Sequence, residues 1–218
     1  MRSYGQFCSL ARALDVVGDR WNLLIVRELM LRGPSRYTDL MAGLPGIATN
    51  LLADRLRDLE HAAVVSRREA LPPVATAVFE LTERGRALEP VIRELGRWGF
   101  ELMPGTDPDY AFRSHWLALP VSLYLHDRES GGPPATIEVR LGDDPVILEA
   151  VEGEVRTRPR TETDDPDLVV SGPPLAFLGL ISRKLDLAAA RARGLHTEGE
   201  LAALERLLPE PAASAPAP

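Results

Sequence analysis

Through the first hundred positions apolar residues recur at helical spacing, while stretches of the second hundred alternate between apolar and polar. Ser9 to Val17 predicts an opening helix, and Trp21 to Leu31 a second, very apolar one that Gly33-Pro34 ends. Ser35 to Met41 predicts a short amphipathic helix, followed by a Gly43-Leu44-Pro45-Gly46 turn. In the segment Gly46 to Glu60, Leu52, Leu56 and Leu59, with Ala63 beyond, form one buried stripe. Asn50, Ala53, Asp54 and Arg57 then point away from it. Val64 to Glu69 and Ala75 to Leu81 read as two strands joined by a Pro72-Pro73 loop. Thr82 reads as the N-cap of a long helix from Glu83 to Met103. Its apolar stripe is Leu88, Val91, Ile92, Leu95, Trp98 and Leu102.

Pro104 to Asp109 is rich in turn residues, and residues 104–110 are read as a linker. Beyond it, Phe112 to Leu125 predicts a helix interrupted near Pro120. Ala135 to Leu141, Val146 to Val151, Glu154 to Arg158 and Asp167 to Gly172 predict strands. A helix starting at Pro173-Pro174, one over Leu187 to Ala192 and one over Glu200 to Leu208 follow. The Pro/Ala-rich end, residues 210–218, is expected to be disordered. The chain thus divides into an α-rich domain over 1–103 and a smaller α+β domain over 111–209.

The net charge of −7 over 218 residues argues at first against a polyanionic partner. Residues 1–103, however, carry 14 arginines against 13 carboxylates, whereas the remainder carries 11 basic and 19 acidic side chains. The acidity belongs to the second half. With one cysteine and four scattered histidines, no intramolecular disulfide and no Cys/His metal cluster can form, and no cofactor motif is present. The absence of a long apolar run and of a charged-then-apolar N-terminus leads us to expect a cytoplasmic protein with no membrane span.

Helix, turn, helix and hairpin is the winged helix-turn-helix arrangement, whose common use is reading duplex DNA. Five blocks resemble the HxlR family of winged-helix transcriptional regulators, in the family's order and spacing. They are Cys8 to Leu14, Gly18-Asp19-Arg20-Trp21-Asn22-Leu23-Leu24-Ile25, Arg36 to Leu40, Gly46 to Glu60, and Leu81-Thr82-Glu83-Arg84-Gly85. The resemblance implies a homodimer, paired through the opening helix and the long helix after the wing. In the second half, Asp167 to Ile181, with Leu185 and Ala192 to Gly199, resembles the sterol-carrier-protein-like domain, a small sheet covered by helices and often enclosing an apolar cavity.

The candidate DNA site has three parts. Arg36, Tyr37 and Thr38 open the motif's first helix, where backbone N–H groups suit a phosphate. Thr49, Asn50, Asp54 and Arg57 face base edges: Asn suits adenine, Arg suits guanine, and a carboxylate accepts from cytosine. Arg67 and Arg68 belong to the wing, and Arg55 lies at the edge of the buried stripe as a bridge toward phosphate. Each arginine has an alternative as a solvated or intrahelical partner, Arg57 with Glu60 or His61 for example. Ala48 stands where the family commonly has a capping Ser, so Thr49 must cap or the helix start frays.

Cys8 matches a cysteine that some family members use to sense oxidants or electrophiles. Its competing reading is a small buried apolar residue among Phe7, Leu10 and Ala11. Trp116, Leu119, Leu123, Ile137, Val139, Ile147, Leu175 and Leu178 line either an apolar effector pocket or a filled core. The expected function is a dimeric repressor on a near-palindromic double-stranded operator, modulated by an apolar small molecule or through Cys8. The rival is a hydrophobic-ligand carrier whose N-terminal half only dimerises. An enzyme is not expected, since the chain has neither a phosphate loop nor a nucleophile motif.

Overall fold

The computed structural model describes residues 3–69, 77–103, 110–129, 131–142 and 144–210. Contacts divide the chain into two units, Met1–Leu95 and Gly96–Pro218. The division falls inside a helix, ahead of the turn-rich segment where the composition shifts. Its cause is that Phe100 and Met103 pack on the second unit's core. Residues 104–109, most of the expected linker, lie outside the described residues, as do 211–218 of the tail and the Pro72-Pro73 loop.

In the first unit, α1 (Ser9–Val17) and α2 (Asn22–Arg32) precede a two-residue strand, β1 (Ser35–Arg36). The helix pair α3 (Tyr37–Gly43) and α4 (Thr49–His61) follows, then the hairpin β2 (Val65–Glu69) and β3 (Ala77–Leu81). The strand order is β1-β3-β2, all antiparallel, with Ser35 opposite Phe79 and Arg67 also opposite Phe79 from the other side. β1 occupies positions expected to be helical. Arg36 is extended and caps α3 instead, with its N–H donating to the Asp39 carboxylate at 3.0 Å.

The core is the set of stripes the periodicity marks. Ile25, Val26 and Leu29 of α2, Leu40 of α3, and Leu52, Leu56 and Leu59 of α4 are all at most 2% exposed. Burying each such side chain contributes about 1.5–3 kcal/mol, so this cluster fixes the α2–α3–α4 arrangement. Gly33, at φ 71°, ends α2 in a conformation that a side chain would resist. At Gly43, a Cβ would lie 2.0 Å from the buried Glu28 carboxylate, so only glycine lets α3 approach α2 this closely.

The long helix expected over Glu83 to Met103 is interrupted. It forms as α5 (Glu83–Arg86) and α6 (Glu89–Gly99), with a 3-10 turn over Phe100–Leu102. Pro90 lacks the N–H that would continue the ladder and sits in the first turn of α6, where that donor is not needed. Thr82 caps α5: its Oγ1 accepts from the Gly85 N–H at 3.0 Å and donates to the Ala63 carbonyl at 2.6 Å.

The second unit takes in the last residues of α6 and the Phe100–Leu102 turn, and continues with a 3-10 turn over Ser114–Leu117 and α7 (Ala118–Tyr124). Pro120 does not interrupt α7; it lies in its first turn, and the change of helix type precedes it. Then come β4 (Ala135–Arg140), β5 (Val146–Val151), β6 (Glu154–Pro159), β7 (Leu168–Ser171), α8 (Pro174–Ile181), α9 (Leu187–Ala192), β8 (His196–Gly199) and α10 (Leu201–Leu207). The sheet runs β6-β5-β4-β7-β8, with β4 and β7 parallel and the other pairs antiparallel.

Alternation assigns the two faces of this sheet. Ala135, Ile137, Val139, Val146, Leu148, Ala150, Leu168 and Val170 join Phe177, Leu180 and Leu204 in the core. On the other face Glu138 sits opposite Ile147, both almost fully buried. The β6–β7 connection must pass β5 and β4 on its way, and Arg160 from it donates to Glu138 at 3.0 Å, beside Arg140 at 2.6 Å. Arg158 likewise joins Glu149 and Asp164. A second tie is buried: Arg206 of α10 donates from Nε and Nη2 to both Asp127 oxygens at 2.6 and 2.8 Å, and also to the Pro133 carbonyl. That guanidinium holds the Asp127 carboxyl at about 2. Among the described residues, no helix is long and apolar enough to cross a membrane.

Candidate nucleic-acid interface

One turn of chain sets the recognition helix. Ala48 is the N-cap of α4, extended and without a side-chain bond, and its carbonyl accepts the Leu52 N–H at 3.0 Å. Of the two expected alternatives, Thr49 therefore does not take the capping one, because it stands one position inside the helix. Its hydroxyl is left outward, and the first N–H groups of α4 have no side-chain cap. The Tyr37 hydroxyl donates to the Thr49 carbonyl at 2.5 Å and ties the start of α3 to the start of α4. Tyr37 is thus committed within the motif, whereas Arg36 and Thr38 beside it are exposed.

On α4 the apolar and polar faces separate cleanly. With Leu52, Leu56 and Leu59 inward, Thr49, Asn50, Asp54 and Arg57 are exposed, and His61 extends their row by one more turn. Arg57 pairs with Asp54, not with Glu60 or His61 through its side chain. The His61 Nδ1 lies 2.7 Å from the Arg57 carbonyl, an atom that can only accept, so Nδ1 carries the proton and Nε2 faces away. His61 was not among the expected site residues, although its spacing of four from Arg57 was visible.

Arg55 is placed elsewhere. Its Nη1 donates to Asp19, in the turn after α1, and to Asp58 at 3.1 Å, with the side chain 21% exposed. It couples α4 to the end of α1 rather than joining the outward row. In the wing, Arg67 and Arg68 are exposed on β2, and Arg68 is paired with Glu80 across the hairpin at 3.1 Å. Asp19 and Glu80 are partners that sequence reasoning missed, since each lies far along the chain from its arginine.

Two apolar surfaces remain uncovered. On α1 and just before it, Phe7, Leu10 and Leu14 are exposed while Ala11 and Val17 turn inward. On α6 and its 3-10 extension, the expected stripe splits: Ile92 is buried and Leu88 half-buried, but Val91, Leu95, Trp98 and Leu102 stay exposed. Cys8 sits exposed at the N-cap of α1. The buried reading of Cys8 is not what this chain adopts, because the helix turns its apolar stripe outward at that end.

The eight expected effector-pocket residues are not brought together. Ile137, Val139 and Leu178 belong to the packed core of the second unit, and Trp116, Leu119 and Leu123 are half-buried. Ile147 lies on the opposite face of the sheet, one step out of phase with Val146 and Leu148. Leu175 is 40% exposed at the start of α8.

These elements define a winged helix-turn-helix of the kind that presents one helix to duplex DNA. A family model described as HxlR-like helix-turn-helix matches residues 16–107. The HTH-type transcriptional regulator YvaP of Bacillus subtilis (strain 168) is 34% identical over 100 residues, which is 45% of this chain and 88% of that protein. The HTH-type transcriptional regulator YodB of the same organism is 36% identical over 86 residues, covering 39% of this chain and 76% of YodB. The solved reduced form of YodB from B. subtilis aligns at a TM-score of 0.40 with 32% identity, over 47% of this chain and all of that one. The chain belongs to the HxlR-like helix-turn-helix family of transcriptional regulators.

Proposed function

We propose that the protein is a cytoplasmic, homodimeric, sequence-specific repressor that binds a near-palindromic DNA operator. The observation that carries this reading is the exposed polar row of α4 standing on a fully buried leucine stripe. Two copies pair through the uncovered apolar positions of α1 and α6, burying Phe7, Leu10, Leu14, Val91, Leu95, Trp98 and Leu102. Pairing also addresses the charge problem. Residues 1–103 are nearly neutral, so two domains are needed to neutralise enough phosphates.

In this reading Asn50 and Arg57 contact base edges, Arg36 and Thr38 contact backbone, and Arg67 and Arg68 flank the site from the wing. The two α4 helices enter successive major grooves about ten base pairs apart. Modification of the exposed Cys8, at the N-cap of the pairing helix α1, changes the spacing of those helices and so the affinity. The test is binding of the full chain to the promoter beside its own gene over a salt series. Affinity falling steeply with salt and stronger for that promoter than for unrelated duplex is expected. A flat salt response, or no preference for that promoter, removes the reading.

A further inference from the structure

Asp54 and Arg57 stand three residues apart on the outward row of α4, and their side chains meet although each is more than half exposed. The contact joins Nη2 of Arg57 to Oδ1 of Asp54. It leaves Asp54 Oδ2 and most of the guanidinium's five N–H donors for another partner. An exposed pair of this kind contributes little to folding. Placed where α4 meets a polyanion, the carboxylate also repels phosphate and cancels one of the few cations of the surface. Its position therefore works against general DNA affinity and suits a role in sequence preference.

We infer that Asp54 is a positioning and specificity residue acting through Arg57, an inference that rests on the DNA-binding reading of α4. Unrestrained, the long arginine side chain reaches phosphates and bases alike. Held at Nη2 by a carboxylate one turn back, its guanidinium plane is fixed and presents its remaining N–H groups to the O6 and N7 acceptors of a guanine. The second Asp54 oxygen then accepts from the exocyclic amino group of cytosine or adenine in the adjoining pair. It repels a guanine O6 or thymine O4 at that place. The two residues read one step: a guanine next to a base whose groove edge offers an amino group.

The test is selection of binding sites from a random duplex pool by the full chain, its Asp54→Ala, Asp54→Glu and Arg57→Ala variants, with thermal unfolding of each. Asp54→Ala is expected to lower the preference for the guanine about tenfold. The same variant should bind unrelated duplex more tightly at low salt and unfold at an unchanged temperature. Asp54→Glu, which can still reach Arg57, restores part of the preference. If Asp54→Ala keeps the full guanine preference, or weakens all sequences equally, the inference is wrong while the DNA-binding reading stands. If the unmodified chain shows no sequence preference, that reading falls and the inference with it.

Discussion

The polar row of α4 in the first unit and the sheet of the second unit place their ion pairs differently. The second unit turns two sets of charges inward, with others such as Glu154–Arg156 left exposed: Asp127 with Arg206, and Glu138 with Arg140 and Arg160, are ion pairs in which the carboxylate is almost fully buried. The first unit buries the Glu28 carboxylate beside Arg27 but leaves Arg57–Asp54 and Arg68–Glu80 near the surface, and leaves Phe7, Leu10, Val91 and Leu95 uncovered. Buried, fully bonded charges specify one packing and are costly to disturb, whereas exposed ones can be exchanged for a partner. In the proposed reading, the exposed pairs of α4 and the uncovered apolar positions of α1 and α6 are the places where a polyanion and a second copy bind.

The largest expected effect breaks the inward-facing half. Asp127→Ala strands the Arg206 guanidinium in a buried site and should destabilise the second unit by about 3 kcal/mol, read as a lowered unfolding transition in the full chain. The sign with pH follows from the same pair. The Asp127 carboxyl is depressed from 3.8 to about 2, so its contribution is complete above about pH 4 and is lost as the pH falls toward 2. An acid transition in that window that is absent from Asp127→Ala would confirm the assignment.

Next in size is the uncovered apolar stripe. Leu95→Glu should leave the fold of one copy intact, since Leu95 is 45% exposed, and convert the dimer to a monomer in sedimentation. Operator affinity should then drop about a hundredfold, because the second half-site is no longer engaged by the same particle. A monomer that binds as tightly as the unmodified chain would erase the distinction between the units. Arg55→Ala is smaller still: losing the Asp19 and Asp58 bonds of a partly exposed side chain should lower stability of the first unit by at most about 1 kcal/mol. Thr49→Ala should shift stability by less than about 0.5 kcal/mol, since Thr49 caps nothing, while its effect on DNA affinity reports whether the hydroxyl is used.

The same contrast explains what the sequence disclosed. The helices of the first unit were legible because Leu52, Leu56 and Leu59 recur with the period of a helix that has one wet face. The strands β4 to β6 were legible from alternation of the same kind. β8 was not, because His196-Thr197-Glu198-Gly199 is a mostly exposed edge strand with no apolar alternation to mark it. β1 escaped for a different reason: two residues pairing across a distance of over forty positions leave no local signal. At the site, the residue types on α4 could be read, but their pairing could not. That Arg57 meets Asp54 rather than Glu60, and that Arg55 turns to Asp19, depends on rotamers and on where α1 ends. The eight expected pocket residues failed as a set because one apolar character covers two opposite faces of a sheet, and Ile147 took the other one.

Footprinting of the full chain on the promoter beside its own gene, with the mass of the complex measured on the same fragment, tests the central claim most directly. Two protected tracts with centres about ten base pairs apart, carrying two chains, are the predicted result. A single tract bound by one chain, or protection that does not depend on the exposed row of α4 when Asn50 and Arg57 are replaced by alanine, would contradict it.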